Sequence, residues 1–257
     1  MTSIIINTEK EIVALRRGGK ILADVLAILA AMVVPGADAS ELNREAEKLI
    51  AERGATPLFL GYQPEGASSP YPAALCVSIN DEVVHAIPYT GKIIKEGDVV
   101  SLDLGVRYEG MCTDSALTVA SGAVPARTQK LIAVTNTALY GGIAVVRAGA
   151  KIGDIGHAIQ QCVEREGFSV VRELAGHGVG HHAHEEPMIL NFGKKGTGEQ
   201  LVAGMTIALE PMVTAGDWRI KTDTDGWGIR TMDGSLAAHF EHTLLVTEDG
   251  CEILTEL

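Results

Sequence analysis

Asp103 and Asp114 flank the short turn Tyr108-Glu109-Gly110, with strand-like residues 99–106 on one side and 111–119 on the other. Glycine in such a turn supplies the positive φ that a tight hairpin needs. With the turn centred between Tyr108 and Glu109, the two aspartates face each other with Cβ atoms about 4.5–5.5 Å apart, and a bulge at Gly110 moves that pairing by one residue. Two like charges so placed are destabilising unless one is protonated or a cation lies between them. A metal ion is the simplest resolution. On these two residues alone, a pair of solvated carboxylates on opposite faces remains the alternative.

Further ligand types are present. The Gly-rich segment 176–187 carries His177, His181, His182 and His184, and its glycines let backbone approach a bound group closely. Glu210-Pro211 closes the apolar strand 205–209, and Glu241 precedes Leu244-Leu245-Val246. Acids in buried strands are rare unless paired or bound to metal. Four carboxylates with at least one imidazole are too oxygen-rich for structural zinc and suit a dinuclear site for Mn, Fe(II) or Co. His184-Glu185-Glu186-Pro187-Met188 is not the two-histidine helical zinc motif, since Met188 stands where the second histidine belongs and Pro187 breaks the helix. Nothing in the spacing of His181 and His182 distinguishes them from surface or packing residues.

The elements that must position these residues repeat. Thr8 and Glu11 have capping-box spacing, and apolar residues then recur at helical intervals to about Val34, where Pro35-Gly36 stops the helix. A second helix is expected from near Ser40 to just before Gly54. A third is expected over 137–146, stopped by Ala148-Gly149, and a fourth opens at Asp154. Placing Gly36 on Gly149 also places Leu42 on Ile155 and Gly54 on Gly167, and a second echo pairs 95–103 with 202–210. This reads as two similar halves, each of two helices followed by strands, joined near 121–127. The alternative is the chance alignment of two helix pairs.

With 33 acidic against 21 basic side chains, the net charge is -12, which disfavours phosphate backbones and anionic lipid as partners. The longest apolar run, residues 25–34, is too short to span a bilayer. The first residues do not resemble a secretory signal, and Cys76, Cys112, Cys162 and Cys251 are too scattered for a zinc ribbon or a disulfide framework. An intracellular protein with reduced thiols is expected.

Taken together, the residues 78–88 with His85, the Asp103 and Asp114 hairpin, Gly176-His177-Gly178 followed by His184, Leu209-Glu210-Pro211-Met212 and Phe240-Glu241-His242-Thr243 resemble the type I methionine aminopeptidases in order and spacing, over nearly the whole chain. The resemblance implies an α+β pita-bread fold, with pseudo-two-fold duplicated halves and a curved antiparallel sheet covered by helices on its outer face. It implies one catalytic domain over 1–257, with halves of about 8–120 and 128–257. It further implies that two divalent ions (Co, Mn, Fe(II) or similar) are held by Asp103 on one side, by His177 and Glu210 on the other, and by Asp114 and Glu241 between. Such a pair activates water and polarises the scissile carbonyl without a covalent intermediate. By the same resemblance Glu210 accepts the water's proton, and His85 and His184 contact the scissile amide. Tyr62, Tyr71, Cys76 and Trp227, with Phe59 close by, wall a methionine pocket, a task suited to sulfur-aromatic contact, although ordinary core packing is the alternative for the aromatics.

The implied activity is removal of initiator methionine from nascent chains with a small second residue, by a cytoplasmic monomer that meets its substrates near the ribosomal exit tunnel. Rivals are a proline-directed peptidase of the same fold and a non-catalytic relative. The short intervals from His184 to Glu210 and from Glu210 to Glu241 argue against type II enzymes. Two departures from the family pattern bear on substrate preference. Ala183 replaces a bulkier residue, leaving a pocket wall to be supplied by His182 or missing, and the Pro- and Ser-containing stretch between Tyr62 and Tyr71 is longer than in compact bacterial members.

Overall fold

The computed structural model describes residues 6–64 and 66–256. The first five residues, which make up most of the stretch 1–7 that does not resemble a secretory signal, lie outside them, as does Glu65 of the 62–71 loop. Four α-helices are present among the described residues: α1 (Glu9–Ala31), α2 (Ala39–Glu52), α3 (Ala126–Ile143) and α4 (Ile152–Arg165). None is long and apolar enough to cross a membrane.

Helix α1 opens on the expected capping box. The Glu11 N–H donates to the Thr8 hydroxyl, and the Thr8 N–H donates to the Glu11 carboxylate. It ends at Ala31, three residues short of the expected Val34, because the chain is already turning into Pro35-Gly36, where Gly36 takes φ 94°. Helix α3 begins at Ala126, well before the expected residue 137. Its early turns look polar, yet Thr128, Leu131, Val134 and Thr135 all face the core, and the Thr135 hydroxyl is satisfied by the Leu131 carbonyl. A backbone-bonded threonine serves there as an apolar residue.

Helices α1 and α2 pack their apolar faces on the strands Leu75–Ile79 and Val99–Tyr108, around Leu22, Leu26, Leu42, Ile50, Leu102 and Leu104. Helices α3 and α4 do the same on Thr206–Leu209 and His242–Val246, around Leu131, Leu139, Ile155, Ile159, Ile207 and Leu244. In the first sheet Val99–Tyr108 pairs antiparallel with Leu75–Ile79, Met111–Ala120 and Thr56–Pro57. In the second the order is Cys251–Ile253, His242–Val246, Thr206–Leu209, Ala175–Gly178, Glu185–Leu190, again antiparallel. The sheets meet where Ala116 bridges Glu241. There the Ser115 hydroxyl donates to the Glu241 carbonyl, and the Thr243 hydroxyl donates to the Asp114 carbonyl while accepting from the Asp114 N–H.

The sequence echo has a backbone counterpart. Helices α2 and α4 are both 14 residues long and lie 113 positions apart, and each is followed by a glycine of positive φ, Gly54 and Gly167. The N–H groups of Gly36 and Gly149 donate to Ile94 and Leu201, and those of Ala39 and Ile152 to Lys92 and Glu199.

Candidate metal centre and pocket

The hairpin turn is Glu109-Gly110, with φ 49° and 87°, so Tyr108 pairs with Met111. A two-residue turn with both central residues at positive φ matches the twist of the flanking strands. This corrects the expected register. Asp103 lies opposite Ala116 and Asp114 opposite Gly105, a diagonal rather than a direct pair. Both aspartates still project from the same face, because residues two apart along a strand share one. Gly105 is required between them: a Cβ there would lie 2.8 Å from Leu58 and Phe59, and its absence lets Phe59 into the wall beside the acids.

His177 enters from the strand Ala175–Gly178, Glu210 follows the end of Thr206–Leu209, and Glu241 sits just before His242–Val246. Neighbouring strands of one sheet thus deliver all three to the face of the Asp103–Asp114 hairpin. His177 Nε2 is 3.4 Å from Glu210 Oε1 and 4.0 Å from Glu241 Oε1. One ligand atom each from Asp114, His177 and Glu241 lie mutually within 4.8 Å. His177 Nδ1 is 2.9 Å from the Gly178 carbonyl. Donation of Nδ1–H to that oxygen leaves the Nε2 lone pair facing the acids, the arrangement of a metal-ligating imidazole.

Burial dominates the electrostatics. It pushes the Asp103 carboxyl up to about 7 and that of Glu210 up to about 8. Asp114 and Glu241 are likewise pushed well above the usual carboxylate range, from burial first and then from the charges of their acidic neighbours. Burial lowers His177 to about 3 and His85 to about 4, with His184 as the next cause for both, and it lowers His184 as well. Asp103 Oδ1 and Asp114 Oδ1 are buried without a hydrogen-bond partner among the described residues. Converging buried acids with unpartnered oxygens and a presented imidazole lone pair fit hard divalent cations.

All twelve residues singled out from the sequence line one cavity of about 350 Å³: Phe59, Tyr62, Tyr71, Cys76, His85, Asp103, Asp114, His177, His184, Glu210, Trp227 and Glu241. Tyr71 packs edge-on against Trp227 at 5.1 Å, and its hydroxyl donates to the Ala86 carbonyl. Tyr62 and His184 are joined through Oη and Nδ1 at 2.7 Å. His85 holds φ 59°, a left-handed conformation that costs a non-glycine residue energy and that the surrounding structure must enforce. Cys76 pairs with Asp103 across adjacent strands. At His85, His177, His184 and Glu210 the cavity opens into an outer groove of about 940 Å³ lined also by Arg172, Glu185 and Met188.

His182 lines that outer groove and not the cavity, so it does not replace the wall that Ala183 lacks. Ala183 is itself buried with Leu58, Phe59 and Tyr71. His181 binds Glu11 at 2.8 Å and ties the glycine-rich segment to the start of α1.

Two residues of the site escaped the sequence reading. Pro64 lines the cavity from the 62–71 loop. His239, 1% exposed, places Nε2 3.5 Å from Glu210 Oε2, so the Glu210 carboxylate lies between two imidazoles. The signal for His239 was its spacing, since it precedes Glu241 by two positions in an extended stretch and so shares its face.

Comparisons with known proteins agree with this geometry. The model of metallopeptidase family M24 matches residues 13–248. A methionine aminopeptidase of Aquifex aeolicus is 47% identical over 254 residues, covering 97% of this chain and 98% of its own. The crystal structure of methionine aminopeptidase from Thermotoga maritima superposes with a TM-score of 0.96 at 43% identity, covering 99% of this chain and 100% of that one. Prolidase from Pyrococcus furiosus, 20% identical with a TM-score of 0.77 over 98% of this chain and 66% of its own, shares the pita-bread fold alone. The chain therefore belongs to metallopeptidase family M24 and, within it, to the methionine aminopeptidases.

Proposed function

We propose that this enzyme removes N-terminal methionine from nascent polypeptides whose second residue is small, with Asp103, Asp114, His177, Glu210 and Glu241 as ligands of two divalent ions. The observation that carries the reading is the junction of this acid cluster with an aromatic, apolar cavity. The first is suited to hydrolysis and the second to a thioether side chain. When bound, the ions polarise the scissile carbonyl and acidify water.

The chain's own residues supply the rest. The methionine side chain lies against Tyr71, Trp227, Phe59, Tyr62 and Cys76, which exclude water from it. Glu210, held deprotonated beside the ions, takes the proton of the attacking water. Burial keeps His85 and His184 neutral there, so each acts as a hydrogen-bond donor to the peptide and not as a fixed charge. With the Tyr62 hydroxyl donating to Nδ1, His184 carries its proton on Nε2, ready for the scissile amide. The polypeptide beyond the first residue runs into the outer groove.

In this reading the protein is one catalytic domain over 1–257, with halves at about 8–120 and 128–257, and a cytoplasmic monomer that meets nascent chains near the ribosomal exit tunnel. The test is metal-stripped protein reconstituted separately with Mn, Co and Fe(II) without oxygen, and assayed on Met-Ala-Ser, Leu-Ala-Ser and an Ala-Pro-headed peptide. Metal-dependent release of methionine alone is expected. Cleavage of the Ala-Pro peptide instead would transfer the protein to the proline-directed branch of the fold, and metal binding with no cleavage of any peptide would sink the catalytic reading.

A further inference from the structure

Outside the candidate metal centre, several charged groups gather around Arg230, on the strand Ile229–Thr231. Its guanidinium engages three carboxylates at once: Nε to Asp223 at 2.6 Å, Nη1 to Asp81 at 2.9 Å and Nη2 to Glu82 at 2.7 Å. The second oxygen of Glu82 meets Lys92 Nζ at 2.7 Å and accepts the Ile79 N–H, and Lys92 also donates to the Val77 carbonyl. Glu82 and Lys92 are each only 7% exposed.

The three carboxylates come from two separate pieces of chain, and each piece leads to a residue of the cavity. Asp223 begins the loop that carries Trp227. Within that loop Asp225 accepts the N–H groups of Trp227 and Gly228, and the Asp223 N–H donates to the Gly228 carbonyl. Asp81 and Glu82 begin the strand Glu82–Val84, whose next residue is His85 in its left-handed conformation. The strands Ile229–Thr231 and Glu82–Val84 are three residues each, and their register shifts between Ile229 and Arg230. The loop closes its own hairpin through three pairs between Ile220–Thr222 and Ile229–Thr231, but its ladder to the His85 strand has only two pairs, split by that shift. A planar fork that binds carboxylates on both sides fixes the loop in distance and in rotation.

We propose that Arg230 is a positioning residue for specificity, locking the Trp227 wall and His85 into a single frame so that a side chain seated in the cavity brings its own amide to His85. This deepens the proposed function and rests on Trp227 being a wall of the substrate pocket. Replacing Arg230 frees the wall and leaves three carboxylates facing one another.

The test compares Arg230→Met, Arg230→Lys and Asp223→Asn with the parent, all in a Trp218→Phe background so that Trp227 is the sole indole. Each is assayed as the Mn-loaded enzyme on Met-Ala-Ser and Leu-Ala-Ser, and metal affinity is measured by calorimetry. For Arg230→Met the expected result is a KM for the methionyl peptide raised about tenfold, the order of effect that small misfits in an apolar pocket produce. The preference for methionine over leucine should fall by a similar factor, acrylamide should quench Trp227 more strongly, and metal affinity should stay within about twofold of the parent. Lysine should not rescue, because one ammonium cannot satisfy three carboxylates in fixed directions. Asp223→Asn releases only the loop arm and should raise quenching and lower selectivity to a smaller extent; it also decides the matter if Arg230→Met does not fold. Folded variants with parental quenching and selectivity would overturn the proposal. A parent that releases no methionine would overturn the proposed function itself, a separate result, since the quenching is read without turnover.

Discussion

Asp114 occupies a demanding position in the acid cluster proposed to hold the ions. It is 3% exposed, its Oδ1 has no hydrogen-bond partner among the described residues, and its nearest charged company is acidic. A carboxylate so placed serves folding poorly and cation binding well. Asp114→Asn keeps the shape and removes the charge. It is expected to weaken metal binding by calorimetry and to lower kcat at least about 100-fold, the scale of losing one group that stabilises developing charge. A variant with full activity would end the assignment of Asp114 as a shared ligand. Trp227→Ala tests the pocket separately: the ratio of methionyl to leucyl turnover should drop about tenfold, with metal affinity unchanged. At this scale the chemistry was legible because acids and imidazoles in apolar surroundings are conspicuous. His239 was not, for a histidine between an alanine and a phenylalanine looks like any packed residue until the structure brings Glu210 up to it.

The elements were legible where a local signal fixed them and obscure where a neighbour did. Thr8 with Glu11 announced α1, and the glycines that follow α2 and α4 marked their ends. The Asp103–Asp114 hairpin could be placed but not registered. Its turn depends on Glu109 accepting a positive φ, a choice that no residue type dictates, and a shift of the turn centre converts facing aspartates into diagonal ones. Helix α3 was truncated because its buried threonines count as polar in a sequence. Glycines inside helices show the same contrast between local and tertiary causes. A Cβ on Gly156 of α4 would lie 2.5 Å from the Phe192 carbonyl oxygen and 2.6 Å from that of Leu190, whereas one on Gly141 of α3 would meet nothing within 4 Å. Gly156→Ala should therefore push α4 off the strand Glu185–Leu190 and cost about 1–3 kcal/mol, as overpacking does. Gly141→Ala should gain roughly 0.5–1 kcal/mol from reduced backbone freedom in the unfolded chain. Thermal melts of the two variants should move in opposite directions, and a stabilised Gly156→Ala would show that the close approach of α4 is not held by its glycine.

At the scale of the whole molecule, the two halves meet on a set of buried acids, so the stability of the protein is tied to the state of that centre. In metal-free protein burial pushes Asp103 up to about 7 and Glu210 up to about 8, against about 4 for an unfolded carboxyl. Between those values the native state holds protons that the unfolded chain has released, so stability conferred by the acids is complete below pH 4 and is lost as pH rises through 7 and 8. The buried histidines act in the other sense: His177 at about 3, and His85 and His242 at about 4, bind fewer protons than unfolded imidazoles, which adds stability with rising pH only up to about 6.5. Above pH 6.5 the histidine contribution fades as unfolded imidazoles finish losing their protons, the acids come to dominate, and the metal-free protein should melt at progressively lower temperature towards pH 8. With these acids as the proposed ligands, divalent ions reverse that trend, because they bind the same groups deprotonated and displace their protons. At a free Mn concentration of a hundred times Kd, binding to the native state adds about 2.7 kcal/mol, or roughly 5–10 °C of Tm for a chain of this size. Because Kd itself falls as the acids ionise, the Mn-induced rise in Tm at fixed total metal should grow from pH 6.5 to pH 8. Calorimetric scans with and without Mn across that range measure it directly. An increment independent of pH would mean that the ion displaces no protons from Asp103 and Glu210 over this range.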